Sequence, residues 1–88
     1  MFVHKMRNLR LKHRISLMEL ARGISRSHQW LFKLEQRDSI PSDDSQAIVC
    51  RAFEEVIASR RSALYALERD FYLHKNSLFE QVKESEPL

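Results

Sequence analysis

Glycine, proline and cysteine are nearly missing from this chain, which holds one glycine, two prolines and one cysteine in 88 residues. So few helix breakers favour helix almost throughout and give no support for a sheet or a disordered linker. One glycine also excludes a glycine-rich phosphate loop. The lone Cys50 cannot form an internal disulfide, so we expect a small protein of the reducing cytoplasm.

Long apolar runs are missing as well. No stretch approaches the roughly 20 apolar residues that a membrane-spanning helix needs. The start of the chain, MFVHKMRN, lacks the apolar segment of a secretion signal. We therefore expect a single small domain without a membrane partner.

Catalytic and metal-binding patterns cannot be found. The four histidines are scattered and match no zinc spacing; they are His4, His13, His28 and His74. Cys50 lies in an apolar stripe, which favours a buried structural thiol over a nucleophile. We expect no enzyme activity, no metal and no cofactor.

Charge is unevenly distributed along the chain. Residues 1–40 hold nine Lys or Arg against three acids, a balance of +6, whereas residues 41–88 hold six against nine, a balance of −3. A basic front half suggests a surface that faces a polyanion, and the acidic back half suggests separate work. Taken alone, the asymmetry fits a solvated surface equally well.

Residues 16–35, SLMELARGISRSHQWLFKLE, predict two short helices joined by a tight turn. Ser16 and Glu19 match a capping box, in which the serine accepts from a first-turn amide and the glutamate reaches back. Gly23 and Ser25 mark the turn, and Ser27 can cap the second helix. Apolar residues then fall at helical spacing on the inner faces: Leu17, Leu20, Ala21, Ile24, Leu31 and Leu34. This is a helix-turn-helix unit, which places its second helix in the DNA major groove.

Amphipathic helices are predicted on both sides of this unit. Residues 3–14 form the first helix, with Val3, Met6, Leu9 and Arg10 facing inward. The loop RDSIPSDD precedes a fourth helix, which Ser42 or Asp43 caps. Its inner stripe comprises Ile48, Val49 or Cys50, Ala52, Phe53, Val56 and Ile57. A break near residues 58–62 and a continuous helix are both open.

Residues 62–84 repeat apolar and aromatic positions with a period of seven. The pattern predicts a long C-terminal helix that either folds back onto the core or, as we favour, forms a dimer. KESEPL at the end is expected to be a frayed tail. The predicted dimerisation residues are Leu64, Tyr65, Leu67, Phe71, Tyr72, Leu78, Phe79 and Val82.

Residues 6–57 resemble the XRE family of phage-repressor-like helix-turn-helix proteins, of the lambda and Cro type. The matching residues are Glu19-Leu20-Ala21, Ser27, Trp30-Leu31, Leu34-Glu35 and Pro41-Ser42. The resemblance implies an all-α, lambda-repressor-like bundle of four to five helices, here with a long C-terminal helix. We divide the chain into a DNA-binding core, residues 1–57, and a C-terminal element, residues 58–88.

The resemblance also implies roles for individual residues. Arg10 and Glu35 stand where the family often ties its first helix to its third; two unrelated surface charges are the alternative. Departures occur at Ser25, which replaces the usual turn glycine, and at Arg37, which replaces a left-handed glycine after the third helix. Expected base readers are His28, Gln29, Phe32 and Lys33. Expected contacts to the DNA backbone are Ser16, Leu17, Arg26, Ser27 and Arg37.

The chemistry of the expected readers suits base edges. Gln29 can pair with adenine, Lys33 can donate to guanine, and Phe32 can cover a thymine methyl group. Phe32 could instead belong to the core or an interface, and His28 could be a solvated helix-start residue. Trp30 is expected to pack at the helix edge, and Arg26 either extends outward from an expected core position or contacts phosphate.

Two functional hypotheses follow. The first is a sequence-specific, dimeric transcriptional regulator, a repressor on an inverted-repeat operator in double-stranded DNA. The second is an antitoxin-like or adaptor protein whose C-terminal helix binds a protein partner, with DNA binding serving autoregulation.

Overall fold

The computed structural model describes residues 3–85, which form helices and connecting loops without a strand. The prediction of an all-α protein with a long C-terminal helix is confirmed. No helix in the described part is long and apolar enough to cross a bilayer. The helices are α1 (Lys5–Lys12), α2 (Leu17–Ala21), α3 (His28–Glu35) and α4 (Asp43–His74), and a 3-10 turn (Lys75–Ser77) follows.

Serine hydroxyls begin three of these helices. Each accepts a hydrogen bond from the backbone amide three residues further on, at 3.0 Å for Ser16, 3.1 Å for Ser27 and 3.2 Å for Ser42. Such caps satisfy amides that have no partner inside the helix, so they fix where each helix starts. The three predicted starts are confirmed, and Ser42 rather than Asp43 is the cap of α4.

A small apolar core lies between α2, α3 and the first part of α4. Leu20, Leu31 and Ala52 are fully buried. Around them are Ile15, Leu34, Val49 and Val56, with six partly buried side chains packed outside: Met6, Leu17, Ala21, Ile24, Trp30 and Phe53.

The inner stripe of α4 is narrower than predicted. Val49 is buried and Cys50 is exposed, so the expectation of a buried structural thiol is wrong. Successive helical residues differ by about 100° around the axis, and Val49 shares its face with Ala52 and Val56, whereas Cys50 does not. Ile57 is 55% exposed for the same reason.

The turn between α1 and α2 contains a left-handed residue. Arg14 has φ of 55°, and among residues 3–85 it is the one non-glycine residue with positive φ. The left-handed conformation expected at Arg37 is therefore not there.

Leu9, expected to face inward from α1, is 46% exposed.

Helix α4 runs for 32 residues without the break considered near residues 58–62. It ends before the predicted limit of 84, so Leu78, Phe79 and Val82 are not on it. After His74 the chain forms the 3-10 turn, in which Ser77 Oγ donates to the His74 carbonyl at 3.3 Å. Asn and Ser side chains compete for backbone hydrogen bonds in this way, which favours a helix end.

The second part of α4 extends away from the core. We call residues 61–85 the projecting segment; all are exposed except the half-buried His74. The described chain measures 56 × 22 × 20 Å. The division proposed at residue 57 falls inside α4 and remains a prediction. Three residues of the expected frayed tail, 86–88, lie outside the described residues.

Candidate nucleic-acid interface

Helix α3 has one buried face and one solvent-facing face. Leu31, Leu34 and Glu35 are buried and Trp30 is partly buried, whereas the other four positions of this eight-residue helix are exposed. Phe32 is 52% exposed, which excludes it from the core of this chain. The structure thereby brings the four expected base readers together on what we call the reading face: His28, Gln29, Phe32 and Lys33.

A buried ion pair positions α3 against α1. Arg10 Nε donates to Glu35 Oε2 at 2.8 Å, and a terminal nitrogen of Arg10 donates to Glu35 Oε1 at 3.1 Å. The other terminal nitrogen donates to the Ile15 carbonyl at 3.0 Å. Two parallel bonds between planar groups fix angle as well as distance. Glu35 has no exposed surface, so α3 cannot rotate without leaving a buried charge unpaired.

Arg26 lies at the edge of the reading face. Its guanidinium carbon is 5.5 Å from the centre of the Trp30 ring, a cation–π contact. Arg26 is exposed and Trp30 is partly buried against the core. The arginine at an expected core position therefore extends outward over the tryptophan, and its charge remains available to an anion.

The other expected backbone contacts occupy helix starts and loops. Ser16 and Ser27 begin α2 and α3, where their hydroxyls already serve as caps. The Leu17 side chain packs against the core, which leaves its main-chain amide as the group for a phosphate. Arg37 is exposed just after α3.

A second ion pair, which sequence reasoning missed, connects α4 to α2, and the same arginine also binds the turn between α1 and α2. Arg60 donates to both carboxylate oxygens of Glu19, at 2.9 and 2.8 Å. It also donates to the carbonyls of His13 and Arg14, at 2.7 and 3.1 Å. The expectation that Glu19 reaches back to Ser16 is wrong, because its carboxylate faces Arg60.

Arg60 also changes the ionisation of its partner. Its hydrogen bonds, followed by a smaller charge attraction, lower the pKa of Glu19 from the usual 4.5, against a desolvation effect that raises it. Since the two residues lie 41 positions apart, no local spacing indicates the pair. The one signal is an arginine where the apolar stripe of α4 breaks.

Gly23 lets the turn between α2 and α3 approach α4 closely. A Cβ atom at this position would lie 2.7 Å from Glu55 Cβ. Its φ is not positive, so close approach, and not a left-handed backbone, requires the glycine.

The two ion pairs leave a basic outer surface on the front part of the chain. Of its three acids, Glu35 and Glu19 are bonded to arginines, and Asp38 is exposed. The exposed cations between residues 3 and 40 are Lys5, Lys12, Arg14, Arg22, Arg26, Lys33 and Arg37. Long-range attraction to a polyanion follows from such a surface.

The predicted dimerisation residues are all exposed. Five lie on α4, with exposed fractions from 41% for Phe71 to 69% for Tyr72; three lie beyond it, including Phe79 at 98%. Phe71 and Tyr72 contact each other edge to face, with ring centres 5.2 Å apart. Nothing within residues 3–85 covers these side chains, so folding back onto the core is not what they do.

Residues 3–85 contain no group of three histidine, cysteine or acidic side chains placed to hold a metal ion. Comparison with protein-family models, with curated proteins and with solved structures finds no match to this chain.

Proposed function

We propose that this protein is a sequence-specific DNA-binding transcriptional regulator of the lambda- and Cro-like helix-turn-helix type, acting as a dimeric repressor. One observation carries the proposal: α3 exposes a polar and aromatic face while its opposite face is locked into the core. The Arg10–Glu35 pair holds that helix at a fixed angle. A helix presented rigidly in this way can enter a major groove with its side chains already positioned.

The residues of the reading face have distinct tasks in this mechanism. Gln29 donates to and accepts from an adenine edge, and Lys33 donates to guanine O6 or N7. Phe32 contacts a thymine methyl group, and His28 donates to guanine or to a phosphate. The surrounding cations contact phosphates, which positions the protein without reading sequence. Affinity then falls steeply with salt as counterions are released.

A dimer presents two reading faces about one DNA turn apart, roughly 34 Å, to an inverted repeat. A protein bound there blocks a promoter by occupying it. The chain carries no cofactor in this proposal, and its control lies in protein level or in a partner.

Selection of binding sites from random DNA with the purified protein tests this function. We expect an inverted repeat whose affinity exceeds that of random DNA at about 150 mM salt. Equal affinity for selected and random DNA would overturn the proposal.

A single substitution tests the reading face itself. Gln29→Ala is expected to cost about 1–3 kcal/mol at one base position and to relax specificity there. Gln81→Ala is the matched control, because Gln81 is exposed, lies beyond the end of α4 and is not one of the predicted dimerisation residues, so the change should leave binding unchanged. A uniform loss across all sequences would make Gln29 a positioning residue.

A second candidate function rests on the exposed aromatic residues of the projecting segment. Tyr65, Tyr72 and Phe79 are 67%, 69% and 98% exposed, and such rings commonly anchor protein interfaces. An antitoxin-like or adaptor protein would use them to bind a different protein. A monomer in solution that gains a partner through these rings would favour this candidate over the regulator.

A further inference from the structure

The projecting segment gives the chain far more surface than its mass requires. The accessible surface of the chain is 7744 Å², whereas a compact monomer of 10.5 kDa has about 5,400 Å². Its radius of gyration is 18.2 Å, against about 12 Å for a compact domain of this length. The excess, about 2,300 Å², exceeds the roughly 800 Å² per partner of a standard interface.

One face of α4 joins this segment to the core. Ile57, Leu64 and Phe71 are seven residues apart, so they lie on one stripe of the helix. Near the core the stripe borders an apolar groove of about 470 Å³ between α1 and α4. Leu9, Ile15 and Phe53 form its apolar floor together with Ile57 and Leu64. An apolar stripe and an apolar groove therefore lie end to end on the same side of the molecule.

We propose that a second copy of this chain covers this surface in an antiparallel orientation, with the last part of α4 of each copy, residues 61–74, against the groove of the other. The proposal rests on the dimer of the proposed function and specifies how it is built. In this arrangement Leu64 lies near the two-fold axis. Phe71 of each copy then reaches the groove beside Ile57 of the other.

Charge on the flank of the stripe favours the antiparallel orientation. Arg61 and Glu68 are seven residues apart, so they lie on the same flank of α4, beside Leu64. Antiparallel helices centred at Leu64 place Arg61 of one copy within one residue, about 1.5 Å, of the level of Glu68 of the other, twice per dimer. Parallel helices would place each of these charges level with its own copy.

The orientation also determines how far apart the two cores lie. Cys50 is about 14 residues from the proposed axis, or about 21 Å along the helix. The two copies of Cys50 would therefore be about 42 Å apart in the antiparallel dimer. In a parallel pair, with helix axes about 8–10 Å apart, they would lie within about 20 Å.

Charge reversal tests the pairing by sedimentation equilibrium without DNA. Arg61→Glu and Glu68→Arg are each expected to weaken self-association by about tenfold or more, because each creates two like-charge contacts per dimer. The combined variant R61E/E68R should restore it. Arg69→Glu is the matched control, since Arg69 lies about 140° around the helix from Leu64. Single reversals with no more effect than this control would overturn the proposal.

A distance measurement on the unaltered sequence gives an independent test. Cys50 is the one cysteine of the chain and is exposed, so it can carry a spin label. A main distance near 42 Å supports the antiparallel dimer; a distance under about 20 Å, or a monomer at about 100 μM, overturns it.

These outcomes are separable from those of the proposed function. Gln29→Ala should leave the self-association and the label distance unchanged, since Gln29 is on α3, away from the groove. Loss of DNA selectivity with an intact dimer would fault the proposed function alone. A protein that binds DNA selectively but lacks the antiparallel contact would overturn the antiparallel dimer alone.

Discussion

The core, residues 3–60, and the projecting segment, residues 61–85, differ in what covers their apolar side chains. The core contains every buried residue of the described chain, and both ion pairs have their partners within it. The projecting segment continues the same helix with a similar density of apolar residues, and all of them are exposed. Helical periodicity of apolar residues therefore indicates that one face of a helix is to be covered. It does not indicate whether the covering residues belong to the same chain.

Breaking the buried ion pair of the core should have the largest effect. Glu35→Leu leaves the buried Arg10 without its carboxylate partner, which is expected to cost about 3–5 kcal/mol in the free energy of unfolding. Urea denaturation measures the loss. Glu68→Leu in the projecting segment is the control and should change monomer stability by less than about 0.5 kcal/mol.

The companion double variant, Arg10→Met with Glu35→Leu, removes both charges and should recover much of the lost stability. Equal losses for Glu35→Leu and Glu68→Leu would remove the contrast between the two regions.

Two side-chain truncations on α4 compare a buried position with an exposed position of the same helix. Val56→Ala removes buried methyl groups and should cost about 2 kcal/mol in the free energy of unfolding. Leu67→Ala removes more atoms from a side chain that is 64% exposed, yet it should cost less than about 0.5 kcal/mol. Thermal or urea unfolding at a concentration where the protein is monomeric checks both. A larger loss for Leu67→Ala would mean that the projecting segment packs on its own core.

The smallest effect is expected at the boundary, where Arg60 binds Glu19. Because the pKa of Glu19 is lower in the folded chain than its usual 4.5, the pair stabilises the fold fully above that pH. This contribution is lost as pH falls through the lowered pKa. Urea midpoints of wild type and Glu19→Gln, compared from about pH 6 to about pH 3, should therefore converge below about pH 4.5.

Glu80→Gln, an exposed control on the projecting segment, should follow wild type throughout that range. A constant difference between Glu19→Gln and wild type at all pH values would show that the Glu19 charge does not contribute.

Local chemistry made the helix starts predictable, and long-range contacts did not follow from it. Serine caps at Ser16, Ser27 and Ser42 depend on three neighbouring residues, so the sequence alone indicates them. Arg10 and Glu35 were matched through resemblance, and the structure has them bonded at 2.8 Å. The Arg60 contact with Glu19 and the left-handed Arg14 depend on how α4 packs beside the turn between α1 and α2. No local sequence pattern indicates that packing.

The candidate site was predictable to a similar depth. Helical spacing predicted that Leu31 and Leu34 face inward from α3, whereas the four expected base readers were implied by the resemblance. The exposure of Cys50 could not be predicted in this way. Residues 47–50 are all apolar, so the pattern does not indicate whether Val49 or Cys50 faces inward. DNA itself, as the partner of that face, remains a proposal.

The unbroken course of α4 from core to projecting segment couples rotation to length. Each residue inserted after the core would advance the segment by 1.5 Å and turn it by about 100°. One insertion would turn Leu64 and Phe71 away from the groove, whereas seven would nearly restore the phase while moving the segment about 10 Å. In the proposed dimer, the residue count of a single helix therefore sets both the separation of the two DNA half-sites and their angular phase around the duplex.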